Sequence, residues 1–404
     1  MNITVLSVIY FVAFSHALMI AIVLWQRSAP RNAGRMLAGV MLILAYKLFE
    51  GGATYSGFYR YIPHLLDLMP GMVLLLGPVF YGYVRKMSGL PSFTWGQWLL
   101  HFAPWLILWL LFNSANVFRS AELKIAMWDN VIASDSKYQA NYPLPVVLLL
   151  IGIKLHLTTY LALATMRLQK FSRTLYNLRS DNSGEIIIQL KGLVIAFILL
   201  EALWVSLFIA QQYYSAITLG QVSQSWLLFI SIIVLAMGFV GLKQPSIIFT
   251  KEEQQISNIS EETSQNKQVG IQDNDGNQVK YIHSALPDST ASEIAKQIKT
   301  VLTSQQLYLN EKLALTDLAQ VLEIKSHTIS QVINQYMKTN FYKLVNGFRV
   351  QHAADLLEDT KLAWPIERIA LESGFSNRVT FNKAFKEQMN CTASHYKKQF
   401  KQAG

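Results

Sequence analysis

Two charged side chains, Lys154 and Glu201, stand inside stretches that are otherwise apolar, Leu144 to Met166 and Ile186 to Ala210. A full charge in hydrocarbon is costly, so such residues normally face a partner or a polar cavity. Lys154 lies nine residues past Pro145, and Glu201 nine residues before Ala210. At about 1.5 Å per helical residue, each sits about 14 Å from that end of its stretch, and an ion pair between the two is geometrically feasible. His16 and His156 fall at a comparable depth. These four residues are candidates for lining a signal-binding cavity; the alternative is a purely structural pair. Lys47 and Glu50, three residues apart near the end of another apolar run, read more simply as a local pair or as snorkelling side chains. Catalytic chemistry finds little support. The one cysteine, Cys391, excludes an intramolecular disulfide and any multi-cysteine metal site. There is no P-loop, no glycine pattern for a dinucleotide, no H-E-x-x-H pair and no G-x-S-x-G elbow. No catalytic residue, metal or cofactor is expected.

The elements that must position these residues are long and oily. Of 404 residues, 52% are hydrophobic and only 15% charged, against about one quarter charged in ordinary soluble domains. About 20 residues span the hydrocarbon core. Seven runs are predicted as membrane helices: Ile3 to Trp25, Met36 to Ala53, Met69 to Val84, Trp95 to Phe112, Leu144 to Met166, Ile186 to Ala210 and Trp226 to Leu242. No small-residue cleavage site follows the first, which therefore reads as a span and not as a removable signal. Basic residues cluster in alternate connections: Arg27, Arg31 and Arg35 in the first, Arg85 and Lys86 in the third, Arg167, Lys170, Arg173 and Arg179 in the fifth. Lys and Arg are retained on the cytoplasmic side, which puts the N-terminus outside and everything after residue 243 inside.

Residues 244–290 hold 3 Lys/Arg against 7 Asp/Glu and show no apolar period, the composition of a flexible tether. From Ser289 onward the period becomes that of soluble amphipathic helices. Ile294, Ile298, Val301 and Leu302 share a face, with Asp288, Ser289 or Thr290 available as caps. Next come ALTDLAQVLEI, with Ala319 inward, and SHTISQVINQYM, capped by Ser326 and with Ile329 inward. A long helix over Phe341 to Glu358 follows. A second pair then repeats the first: WPIERIALESGF, with Pro365 in its first turn and a bend at Gly374, then NRVTFNKAFKEQ. Phe375, Phe381 and Phe385 return to one buried face. The predicted fold is all-α: a polytopic seven-helix membrane domain (1–243), a flexible linker (244–290), and a soluble all-helical domain (291–404) with two helix-turn-helix units joined by a long helix.

Ile369, Ala370, Gly374, Phe375, Phe381, Phe385 and Lys386 follow the pattern IA-x-x-x-GF, then F and F-K, and residues 291–400 resemble the DNA-binding domain of AraC/XylS transcription regulators. FRVQHAADLLE, with Arg349, Ala353 and Leu357, is similar to that family's linker helix. The sequence departs from the pattern at Glu323, where a turn glycine is common, at Lys325, where a capping serine is usual, and at Asn390 and Ala393, where glycine and proline are typical. The membrane half resembles a subset in which an integral seven-helix domain replaces the soluble effector domain. The resemblance implies that His327, Ser330 and Gln331 face bases from the first unit, and Arg378, Val379, Asn382 and Lys383 from the second. Arg suits guanine, Asn and Gln suit adenine, and Val suits the thymine methyl. Lys386, Lys397, Lys398 and Lys401 are candidate phosphate neutralisers.

The leading expectation is a sequence-specific transcription regulator held in a bacterial inner membrane, coupling a small-molecule or membrane signal to cytoplasmic promoter DNA. Its expected partners are double-stranded DNA, the lipid bilayer, RNA polymerase and a second copy of the chain as a homodimer. One alternative is a membrane enzyme or transporter carrying a regulatory helix-turn-helix module. It has no catalytic motif and no clear internal repeat in its favour. Another is a tail that binds protein, which would show no salt-steep affinity for duplex.

Overall fold

The computed structural model describes residues 4–27, 33–65, 68–69, 71–113, 118–135, 144–181, 183–214, 217–243, 286–359, 362 and 364–401. Among them every regular element is helical. The chain divides into two compact units, Met1–Gln169 with Ile188–Ser246, and Lys170–Ile187 with Ile247–Gly404. A short stretch from the middle of the apolar block thus groups with the tail. The acidic tether lies outside the described residues, apart from its last few.

The first unit is built from α1 (Val5–Arg27), α2 (Ala33–Ser56), α3 (Val73–Met87), α4 (Trp95–Asn113), α5 (Ala121–Asp135), α6 (Leu144–Leu178), α7 (Ser183–Tyr214) and α8 (Leu219–Lys243), with α6 and α7 each crossing into the second unit near the turn that joins them. Six of these, α1, α2, α4, α6, α7 and α8, are long and apolar enough to cross a membrane. The third expected span corresponds to α3, whose 15 residues contain Pro78. It extends about 22 Å, short of the roughly 30 Å hydrocarbon thickness. Small residues let the neighbouring helices approach closely, the usual device where lipid removes the hydrophobic drive between helices. A Cβ on Gly51 would lie 2.4 Å from Leu227, and one on Gly52 would meet the Phe11 ring at 3.1 Å. Leu99, Leu100 and Leu111 of α4 are exposed, an apolar surface suited to lipid and not to water.

The second unit comprises α9 (Asp288–Ser304), α10 (Leu315–Leu322), α11 (Ser326–Gln331), continued by a π-helical turn Val332–Tyr336, α12 (Phe341–Glu358), α13 (Ile366–Glu372), α14 (Arg378–Met389) and α15 (Ala393–Lys401). It has two cores, and α12 belongs to both. Phe341 and Val345 at its start pack with Ile298, Leu302, Leu318 and Ile329. Val350, Ala353 and Leu357 at its end pack with Ile369, Phe375, Phe381 and Phe385.

Helix starts differ in detail from expectation. The residue capping α9 is Pro287, which leaves Asp288 in the first turn. Lys325 precedes α11, so Ser326 is its first residue and not its cap. Pro365 is the capping residue of α13, one position before the first turn. Side-chain caps form elsewhere: Asn340 accepts from Lys343 N–H and Asn377 from Thr380 N–H, both at 2.9 Å. Asp317 reaches back to Ala314 N–H, also at 2.9 Å.

Candidate nucleic-acid interface

Two helix pairs, α10–α11 and α13–α14, turn in the same way. Ile324 N–H donates to Ala319 carbonyl at 3.2 Å, and Phe375 N–H donates to Ala370 carbonyl at 3.0 Å. Each turn holds a residue in the left-handed region, Glu323 at φ +54° and Gly374 at φ +82°. Only the second has no room for a side chain. A Cβ on Gly374 would lie 2.4 Å from the Tyr308 carbonyl oxygen and 2.8 Å from Leu309 Cα, whereas Glu323 points into solvent. Asn390 supplies the same left-handed bend, φ +55°, at the end of α14, a conformation asparagine tolerates better than most residues.

Residues of the IA-x-x-x-GF pattern are buried. Ile329, Ile369, Ala370, Phe375, Phe381 and Phe385 are each 2% exposed or less, and Ala319 is buried as well. Phe381 meets Phe375 at 5.3 Å and Phe385 at 5.4 Å between ring centroids. With the aromatic face turned inward, the opposite face of α14 presents Arg378, Val379, Asn382, Lys383 and Lys386 to solvent. Val379 is 70% exposed, an apolar side chain with nothing packed over it. On α11, His327 is exposed, while Ser330 and Gln331 are half-buried. Ser330 Oγ accepts from Asn334 Nδ2 at 3.2 Å, and Gln331 Nε2 donates to Gln335 Oε1 at 3.3 Å.

Arg378 is ion-paired with Glu367 of α13, a partner that sequence reasoning did not single out. Lys383 lies 4.0 Å from Glu387. Lys397 donates to the Trp364 carbonyl, so its ammonium is tied down within the fold. Lys398 is exposed, and the Lys401 side chain lies outside the described residues. The phenol of Tyr396 donates to Glu358 at 2.6 Å. That carboxylate, with some burial, pushes its pKa up to about 12.

Residues 318–399 match the family described as a helix-turn-helix domain. The match takes in most of α10, both inter-helix turns, the whole of α12 and the greater part of α15, and the domain is of the AraC type. No curated protein and no solved structure matches the chain. Within this helix-turn-helix domain the candidate base-facing positions fall on α11 and α14, the second helix of each pair, and those on α14 are the more exposed.

The intramembrane candidates belong to the first unit. Lys154 Nζ and Glu201 meet at 3.0 and 3.2 Å, with the ammonium also 4.2 Å from the centre of the Trp204 ring and 5.4 Å from that of Trp226. His156 has a different neighbour, Tyr160 at 5.0 Å, whose hydroxyl lies 2.7 Å from His101 Nδ1. His16 lies against Gly238 of α8. The structure thus brings Lys154 and Glu201 together and sets each histidine among other partners.

Proposed function

We propose that the chain is a membrane-integrated, sequence-specific transcription regulator. The observation that carries this reading is the joining, in one polypeptide, of a helix-turn-helix domain containing two equivalent helix pairs with six helices able to cross a membrane. Helix α12 has 18 residues and is about 27 Å long, which suits two reading heads set near the roughly 34 Å turn of B-DNA. Arg378, Val379, Asn382 and Lys383 on α14, and His327, Ser330 and Gln331 on α11, read base edges. Lys386 and Lys398 neutralise phosphates. With the short α3 counted as a seventh crossing, the alternation of basic connections supports an N-terminus outside a bacterial inner membrane and a helix-turn-helix domain in the cytoplasm. There it meets promoter DNA and RNA polymerase, and it acts as a homodimer. A signal received by the membrane helices sets its occupancy of DNA.

The test is a crosslinking pull-down through an N-terminal tag, with the tagged species confirmed as full length. Discrete promoter sites are expected to be enriched and to be lost in Arg378→Ala, since one bidentate base contact accounts for about 1–3 kcal/mol of discrimination. Recovery of no DNA, together with salt-insensitive binding of a protein partner, refutes the reading.

A further inference from the structure

Ser180 lies in the turn between α6 and α7, yet its hydrogen bonds are those of a residue in the middle of the helix-turn-helix domain. Its N–H and hydroxyl both donate to the Leu313 carbonyl, at 3.3 and 2.6 Å. Its carbonyl and Oγ accept from Arg349 of α12 at 2.8 and 3.1 Å. The neighbouring Arg179 pairs its backbone with Ala314 in an antiparallel bridge. Arg349, 1% exposed, gives its other donors to the Tyr308 carbonyl (2.7 Å), the Asn310 carbonyl (2.7 Å) and Asn346 Oδ1 (3.1 Å). Burial pushes its pKa down to about 10, still high enough to stay cationic at neutral pH, and its charge is met by oriented oxygens. Apolar packing agrees. Phe171, Leu175, Leu178 and Ile187 are each 2% exposed or less and share a core with Ile298, Leu302, Leu315 and Ile329. The ring of Tyr176 meets Tyr342 at 5.0 Å. A loop that only brushed a finished domain would meet it through solvated polar side chains, not through a buried arginine and four core residues.

The contacts continue to the second helix pair. Tyr308 and Leu309, which crowd Gly374 in the second turn, follow α9 and precede α10, and Tyr308 is itself held by Arg349. Helices α6 and α7, joined by this turn, are also those that carry Lys154 and Glu201. We infer that residues 170–187 are a structural part of the DNA-binding unit, and that movement of α6 and α7 reaches both reading helices through Ser180 and Arg349. The assembly stands on the geometry alone; its regulatory purpose rests on the function proposed above. On this view the unit is made of two chain segments, and cutting the tether does not release it.

The experiment uses the full-length chain with a protease site placed between Thr250 and Lys280. After cleavage, the detergent-solubilised fragments are run through size exclusion at high salt. They are expected to co-elute, and Leu178→Asp is expected to separate them. Separation of the parent fragments, or co-elution unaffected by Leu178→Asp, overturns the inference. A second measurement leaves the core untouched: Arg179→Cys with Ala314→Cys, in a Cys391→Ser background, is expected to link the cut fragments by a disulfide, and absence of the link counts against the assembly. Affinity of the uncut chain for a mixed-sequence duplex is expected to fall at least about fivefold in Leu178→Asp. Unchanged affinity overturns the coupling. A parent chain that binds no duplex in any salt, while its fragments co-elute, refutes the regulator reading and leaves the two-segment assembly standing.

Discussion

At the scale of single residues, the two left-handed turn positions behave differently although their backbones agree. Gly374 is needed twice over, for φ and for space, since the Tyr308 carbonyl occupies the position a methyl would take. Gly374→Ala is expected to cost about 1–3 kcal/mol, seen as a lower midpoint in thermal unfolding of the detergent-solubilised chain. Glu323→Gly, at a solvent-facing position, is expected to stay within about 1 kcal/mol of the parent. Tyr396 carries a pH dependence of known sign. Its folded pKa is raised from 10.0 to about 12, first by the hydrogen bond to Glu358. The stability it contributes is therefore fully present below pH 10 and lost as the pH rises through about 12. Tyr342, also raised to about 12 but mainly by burial, adds to the same alkaline limb. Tyr396→Phe is expected to shrink that limb without abolishing it, as read from unfolding midpoints across pH 9 to 12.

At the scale of elements, the capping geometry separates α11 from α14, the second helices of the two pairs. Asn377 closes the start of α14 with its own side chain, whereas α11 begins after Lys325 with no side-chain cap. Asn377→Ala is expected to cost about 1 kcal/mol, and Ser326→Ala less than about 0.5 kcal/mol, since a residue already inside the first turn loses no capping bond. Unfolding of the two variants side by side checks the contrast. Equal losses would mean that Ser326 serves α11 in some other way.

At the scale of the whole molecule, the first unit holds one charge pair deep between α6 and α7. Removing one member leaves a buried charge, typically at a cost of about 3–5 kcal/mol, while replacing both with neutral groups is far less harmful. Lys154→Met alone is thus expected to lower the amount of protein accumulating in membranes, and adding Glu201→Gln to restore much of it, measured by immunoblot. If the double variant accumulates like the parent but its occupancy of DNA changes, the pair does more than hold α6 and α7 together.

Much of this was legible from local pattern. Apolar runs mark α1, α2, α4, α6, α7 and α8 because helices facing lipid need length and hydropathy and little else. The period near 3.6 found α12 from Phe341 to Glu358, and the spacing of Phe381 and Phe385 picked out the buried face of α14, because both depend on neighbours along one helix. Lys154 and Glu201 could be paired from depth alone. The third run, Met69 to Val84, is displaced to Val73–Met87 in α3, since hydropathy does not register where the chain starts and stops a helix. Tertiary structure alone decided the rest. Nothing near Ser180 or Arg349 in the chain signals that they meet, because a buried guanidinium is satisfied by carbonyls from distant segments. Nor does Arg378 announce Glu367, which reaches it across a turn. Periodicity determines which face of a helix is buried; only packing determines what that face is buried against, and here part of the answer is a turn from the membrane block.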